Sequence, residues 1–261
     1  MSTKIKSPND KGHGFVWTLI AVVVIIVAVI AYIIVSSNKK QEEAVQAEME
    51  QVSMVVSTDA DHITLSADKP QEDARVVDLY EDYSCPHCGD LAKATDDSMK
   101  QQIEAGTLIV NVHPLNFLDG GDYGHSTMSG VAAETIAEAS EPVVYWNYRK
   151  MLFDKQRDIY SAWKMDDFAD AAKKMGAAND VVDKIRGEEL KDSYEKQAAA
   201  NSDKLREAIG KVSSPQVIVD GVSLSLANDA GTDFADWPKK LVDGGYDDAI
   251  AEGGKATADA K

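Results

Sequence analysis

The sequence predicts an α/β domain with a helical block inserted between its strands, carried behind a single membrane-spanning helix. Three observations predict it. Residues 15–35, FVWTLIAVVVIIVAVIAYIIV, form an uncharged run with one hydroxyl side chain, Thr18. Residues 74–118 read strand, helix, strand, a βαβ unit that calls for a parallel strand pair. Residues 124–210 then carry helical spacing, and strand signals return at 214–226.

Taken in order, the apolar run of 21 residues makes a helix of roughly 32 Å, enough to cross a bilayer core. It exceeds the 7–15 residues of a signal h-region. It ends in Tyr32-Ile33-Ile34-Val35 and a Ser-Ser-Asn-Lys-Lys stretch rather than a small-x-small cleavage site. Residues 15–36 are therefore read as an uncleaved anchor and 1–14 as a cytoplasmic tail. Lys4, Lys6 and Lys11 before the span outnumber Lys39 and Lys40 after it, a slight positive-inside bias that puts the following domain outside the cytoplasm. Residues 37–70 are polar and read as a stalk, with a short helix in NKKQEEAVQAEMEQ and an edge strand with a turn at 61–70. The folded domain is expected over 71–250, with its helical insertion at about 120–210 and a C-terminal tail at 251–261.

Within the domain, ARVVDLYEDY (74–83) reads as a buried strand. The stretch from Pro86 onward has helical spacing and a C-terminal stop at Gly106, and TLIVNVHPLNFL is a second strand closed by His113-Pro114. Four helical stretches follow, at 124–140, 141–156, 164–176 and 179–210, whose aromatic and methionine residues read as packing. Asp220-Gly221 marks a two-residue hairpin turn, and a last helix is expected at about 232–243.

Composition narrows the function. At 44% hydrophobic and 27% charged the chain folds, and with two cysteines its core rather than disulfides holds it. The net charge of −17 becomes −21 for residues 41–261 alone, a surface that repels nucleic acid. No dimerisation module stands out beyond the stalk, so a monomer is expected.

Both cysteines lie in one motif, Cys85-Pro86-His87-Cys88. A strand that delivers Cys85 to the first turn of a helix sets its sulfur among unpaired N–H groups at the positive dipole end. Pro86 suits the first helical position, and the His87 imidazole adds a donor or a positive charge. Such surroundings bring a cysteine pKa to about 3.5–7.5 and make the disulfide oxidising. Cys88, one turn on, is placed to resolve a mixed disulfide on Cys85. A zinc site is the alternative use of C-x-x-C, but no second C-x-x-C exists and His13, His62, His87, His113 and His125 form no H-x₃₋₅-H pair. A structural bridge over so short a loop fixes little chain entropy. No metal and no cofactor is expected.

VVDLYEDYSCPHC, followed by LIVNVHPLNFL and, far downstream, VSSPQVIVDG, resembles the DsbA-like branch of the thioredoxin superfamily over about residues 72–250. The resemblance implies a thioredoxin-like fold with an inserted helical subdomain. It also implies an oxidase of cysteine pairs in unfolded secreted proteins, with Cys85, Cys88, His87 and Pro86 at its centre. A membrane reoxidase of the DsbB or VKOR kind would recycle it. The anchored, acidic form is similar to oxidative-folding enzymes of Gram-positive actinobacteria. Ser214-Pro215 matches the family's cis peptide, in the loop that binds substrate backbone. Many relatives hold a buried acid six residues before the first cysteine; here that position is Leu79. Strand alternation puts Glu81 on the Leu79 face and Asp78 on the other. Glu81 is the candidate proton-handling acid near Cys88, against the plainer reading of an exposed strand-end carboxylate. His113 reads as structural, and His125 as part of a helix start. Two other functions stay open: the same fold run as a reductase or isomerase, and a redox-inert thioredoxin-like binding or chaperone module.

Overall fold

The computed structural model describes residues 14–224 and 236–259. The expected tail (1–13, with His13), the hairpin end at 225–226 and the first residues of the expected last helix, 232–235, lie outside them.

Contacts divide the chain into a unit ending at Ala47 and a compact unit from Glu48 onward. The described residues of the first lie in one helix, α1 (Gly14–Glu48). Its described apolar side chains stand exposed, as at Trp17, Ile25 and Val35, and the run is long and apolar enough to cross a membrane. The polar residues 37–48, read as stalk, continue the same helix without a break.

The rest of the expected stalk is a correction. Residues 55–66 are two strands of the domain's sheet, β1 (Val55–Thr58) and β2 (Ile63–Ser66), and the compact unit starts more than twenty residues before position 71. Their alternation explains it: Val56, Ile63 and Leu65 turn into the core while Val55, Ser57 and Thr64 turn away from it, and Met54 joins the buried set. Glu50 fastens this segment. Its carboxylate accepts from Lys100 Nζ (2.8 Å), Trp146 Nε1 (3.0 Å) and Lys150 Nζ (3.1 Å). Burial works against its charge, but those three donors hold its pKa down at about 2.

Among the described residues one sheet has the order β1-β2-β4-β3-β5-β6. The central strand β3 (Arg75–Asp82) pairs parallel with β4 (Leu108–Leu115), as the βαβ reading requires. It pairs antiparallel with β5 (Gln216–Val219). The strand β4 runs through Pro114 rather than stopping before it. Its ladder with β2 ends at Val112, and the Pro114 carbonyl accepts from the Asn201 amide, so the missing N–H removes no bond to β3. The hairpin to β6 (Val222–Ser223) closes over Asp220 and Gly221 at φ 50° and 79°, a turn that needs positive φ at both places.

The connecting helix α2 (Pro86–Glu104) stops at the left-handed Gly106 and buries Leu91, Met99 and Ile103 in the same core as Val77 and Leu79. The helical insertion comprises α3 (His125–Glu138), α4 (Pro142–Asp154), α5 (Gln156–Ile159), α6 (Met165–Lys174), α7 (Asn179–Arg186) and α8 (Lys191–Ile209). The end of α8 crosses to the other sheet face, where Leu205 meets Tyr80, Leu115 and Ile218. The last described helices are α9 (Trp237–Val242) and α10 (Asp247–Asp259). The expected tail at 251–261 is therefore helical to residue 259.

Candidate active site

The strand β3 ends at Asp82, and three residues later the chain enters α2 with Cys85 as its N-cap and Pro86 in its first turn. Asp82 shapes the bend. Its carbonyl accepts from Cys85 N (2.9 Å), and its carboxylate accepts from Ser84 N (2.8 Å), Ser126 Oγ (2.6 Å) and Leu118 N (3.2 Å). Burial nevertheless pushes its pKa up to about 6. From α5, Gln156 Nε2 donates to the carbonyls of Tyr83 (2.6 Å) and Cys85 (3.0 Å), bracketing the turn that delivers the first cysteine.

Cys85 and Cys88 are both free thiols, 6% and 0% exposed. Their acidities diverge. The Cys88 thiol donates to the Cys85 sulfur, and against the cost of burial the Ser214 hydroxyl and the N–H groups of Cys88 and His87 add to that, so the Cys85 pKa falls to about 5. Cys88 goes well above an ordinary thiol, because it is buried, gives its proton to Cys85 and feels the negative charges of Cys85 and Glu81.

The loop before β5 closes the site. Ser214-Pro215 is cis, the bond expected from the resemblance, and Cys85 Sγ lies 3.4 Å from the Ser214 carbonyl oxygen. Beside Pro86 an open groove of about 460 Å³ is lined by Ser84, Pro86, Leu118, Gln156, Arg157 and Tyr160.

Two expectations change. The His87 side chain is 81% exposed and pairs with Asp90 at 3.8 Å, so His87 reaches Cys85 through its backbone N–H and not through an imidazole charge. Glu81 is 1% exposed, which overturns the reading of an exposed strand-end carboxylate. It is bidentate to Arg149, with Nε donating at 3.0 Å and a second donation from NH2. Arg149 NH1 donates to both oxygens of Asp96 at 2.9 Å. Two carboxylates share one guanidinium, leaving one uncompensated negative charge behind Cys88. Burial drives the Asp96 pKa up to about 6 despite Arg149. Among the described residues no hydrogen bond joins Glu81 to Cys88, and its charge acts at a distance.

Sequence reasoning missed Arg149, Asp96, Gln156 and the polar cluster under Ser84. In that cluster the Ser84 and Ser126 hydroxyls lie 2.7 Å apart, and His125 Nδ1 lies 3.0 Å from Ser84 Oγ. Burial holds the His125 pKa down at about 4, so the ring is neutral at pH 7. A signal existed for two of them: Arg149 lies four residues from Tyr145 and Phe153, and Asp96 four from Ala92 and three from Met99, both inside apolar stripes. His113 is structural as read, with Nε2 3.0 Å from Asp78 Oδ1.

A family model described as thioredoxin matches residues 71–234. The chain is 40% identical to the MdbA protein, a thiol-disulfide oxidoreductase from Corynebacterium diphtheriae, over 75% of this chain and 97% of that one, with a TM-score of 0.70. It is 38% identical to the MdbA protein of Corynebacterium matruchotii, over 79% and 98%, also at 0.70. DsbA from Mycobacterium tuberculosis, 22% identical over 74% and 99% with a TM-score of 0.54, shares the fold. No curated protein matches the chain.

Proposed function

The chain belongs to the thioredoxin family as a protein thiol–disulfide oxidoreductase of the DsbA and MdbA type, and from that premise we propose that it works as an oxidase outside the cytoplasm, introducing disulfides into unfolded secreted proteins through Cys85 and Cys88. The observation that carries this reading is the split between the two thiols, Cys85 at about 5 and Cys88 far above it. A stabilised Cys85 thiolate stabilises the reduced enzyme, and a disulfide whose reduction is favourable is a strong oxidant.

In the oxidised enzyme a client thiolate attacks Cys85 Sγ, the more exposed sulfur. The Cys85–Cys88 bond breaks, a client–Cys85 bond forms, and Cys88 leaves with the electron pair and takes up a proton. A second client thiolate then attacks the client sulfur of the mixed disulfide. The client disulfide forms, and Cys85 leaves as a thiolate, a good leaving group because its pKa is low. The client has lost two electrons and the enzyme dithiol holds them. A membrane oxidase of the DsbB or VKOR kind would accept them and restore the disulfide. Ser214, Pro215 and the groove beside Pro86 would seat the client backbone, and the charge of Glu81 would keep Cys88 protonated once it has left. The exposed apolar side chains of α1 support a single-pass anchor, and the slight excess of lysines ahead of it favours an N-terminus in the cytoplasm and a catalytic domain outside.

Two measurements test this. The reduction potential should lie near about −120 mV, and a value near about −270 mV would make the protein a reductase instead. Expressed with its clients, Cys88→Ala should accumulate mixed disulfides with secreted proteins and Cys85→Ala none. Equal behaviour of the two variants would sink the mechanism.

A further inference from the structure

On the α8 face of the sheet a second cluster of ligating groups assembles, and the redox chemistry uses none of it. Asp61 and His62 lie in the turn between β1 and β2, and His113 lies on β4. Their candidate ligand atoms all fall within 4.8 Å of one another. We propose that Asp61, His62 and His113 hold a divalent first-row cation of the zinc class, pinning the β1–β2 hairpin to the central sheet and to α8.

His113 is oriented for it. The ring is buried, stacks on Tyr80 at 4.5 Å and has Nε2 3.0 Å from Asp78 Oδ1. A proton on Nε2 donated to that carboxylate leaves the Nδ1 lone pair free, the carboxylate–histidine arrangement that steers metal ligands. Nδ1 faces Asp61 Oδ2 at 3.9 Å and Asn201 Oδ1 at 3.4 Å. The Asn201 amide cannot be turned round, because its Nδ2 donates to the carbonyls of Asp61 (2.9 Å) and Pro114 (3.1 Å). In that tautomer His113 Nδ1, Asp61 Oδ2 and Asn201 Oδ1 converge as lone-pair atoms, with the Lys204 ammonium in the place an ion would take on Asp61. Their spacing suits an ion: two ligands each about 2.1 Å from a tetrahedral zinc sit roughly 3.4 Å apart. His62 completes the set: its ring centroid lies 5.2 Å from that of His113, and its Nδ1, hydrogen-bonded to Asp61 Oδ1 at 2.8 Å, would exchange that bond for the ion.

Lys204 is the competitor, since its ammonium contacts Asp61 Oδ2. It is half exposed on a flexible stem, free to swing out when a doubly charged ion takes the carboxylate. Two imidazoles favour zinc-like cations over calcium or magnesium.

The test is Zn²⁺ titration of the full chain in detergent micelles, oxidised so that Cys85 and Cys88 offer no thiolate, read by calorimetry and by thermal melting. One ion per chain is expected, with a melting temperature that rises with zinc and not with Ca²⁺. His62→Asn should weaken binding by at least about 10-fold and remove the zinc-dependent rise, and Asp78→Asn should weaken it by about 10-fold. Lys204→Met should tighten it. No saturable binding, or binding that His62→Asn leaves unchanged, overturns the assignment.

Discussion

Cys85 and Cys88 share a helix turn, yet one is a strong acid for a thiol and the other a weak one. The reason is directional. Cys85 sits ahead of the first turn, where N–H groups and the Cys88 proton point at its sulfur, while Cys88 lies inside with no exposed surface and a net negative triad behind it. The Ser214 hydroxyl is buried without a hydrogen-bond partner among the described residues, and it favours the thiolate of either sulfur. Removing a hydrogen bond to a charged group costs about 1.5–3 kcal/mol and one pH unit is 1.36, so Ser214→Ala should make Cys85 titrate at least about one pH unit higher, followed by thiolate absorbance. An unchanged titration would assign the lowering to the helix turn and Cys88 alone. Arg149 is the other residue on which the site depends. Arg149→Met would strand two buried carboxylates and should cost about 3–5 kcal/mol in urea unfolding, with much of that recovered in a triple variant that also carries Glu81→Gln and Asp96→Asn.

At the scale of elements, the N-terminal hairpin belongs to the domain because Glu50 anchors it to α2 and α4. Its pKa lies at about 2, below its ordinary 4.5, so its stabilisation is full above about pH 4.5 and disappears as pH falls toward 2. Unmodified protein should exceed Glu50→Gln by about 2 kcal/mol at pH 7, and the difference should close across that window, measured by urea melts at each pH. The packing of α3 on α8 is equally demanding. A Cβ at Gly130 would lie 1.9 Å from Tyr194 Oη, and the Tyr194 ring is buried. Gly130→Ala should therefore lower stability by about 1–3 kcal/mol, despite the helix propensity of alanine, and a melt at or above that of the parent would show that Tyr194 can move.

For the whole molecule, the acidity of one sulfur becomes a difference in stability between redox states. In the unfolded reduced chain that thiol titrates near 9, and in the folded chain at about 5. The reduced fold gains from the thiolate, fully above pH 9, and loses that gain as pH falls through 5. The disulfide form has no such titration. Reduced protein should thus be the more stable form at pH 7, and its advantage should shrink by about 2 kcal/mol between pH 7 and pH 5, read as the gap between the urea unfolding curves of the two forms. A gap independent of pH would mean an ordinary thiol at position 85. The same molecule carries, ahead of the catalytic unit, an apolar helix long enough to cross a membrane.

The sequence by itself determined the long apolar N-terminal helix, the βαβ core, the hairpin turn at Asp220-Gly221 and the placement of two thiols at a helix start. Those features are local: a hydrophobic run, a period, a turn dipeptide and a four-residue motif each act through neighbours in the chain. Tertiary structure alone decided that residues 55–58 add a strand outside 63–66, that Glu81 and Asp96 divide one arginine, that the His87 ring faces water, and that Gln156 clamps the turn before Cys85. Apart from the exposed His87 ring, each of these depends on which distant groups share a low-dielectric space. The sign of a buried carboxylate's effect, or the clamp on a turn, follows from partners 53 to 73 positions away, which no window along the chain brings together.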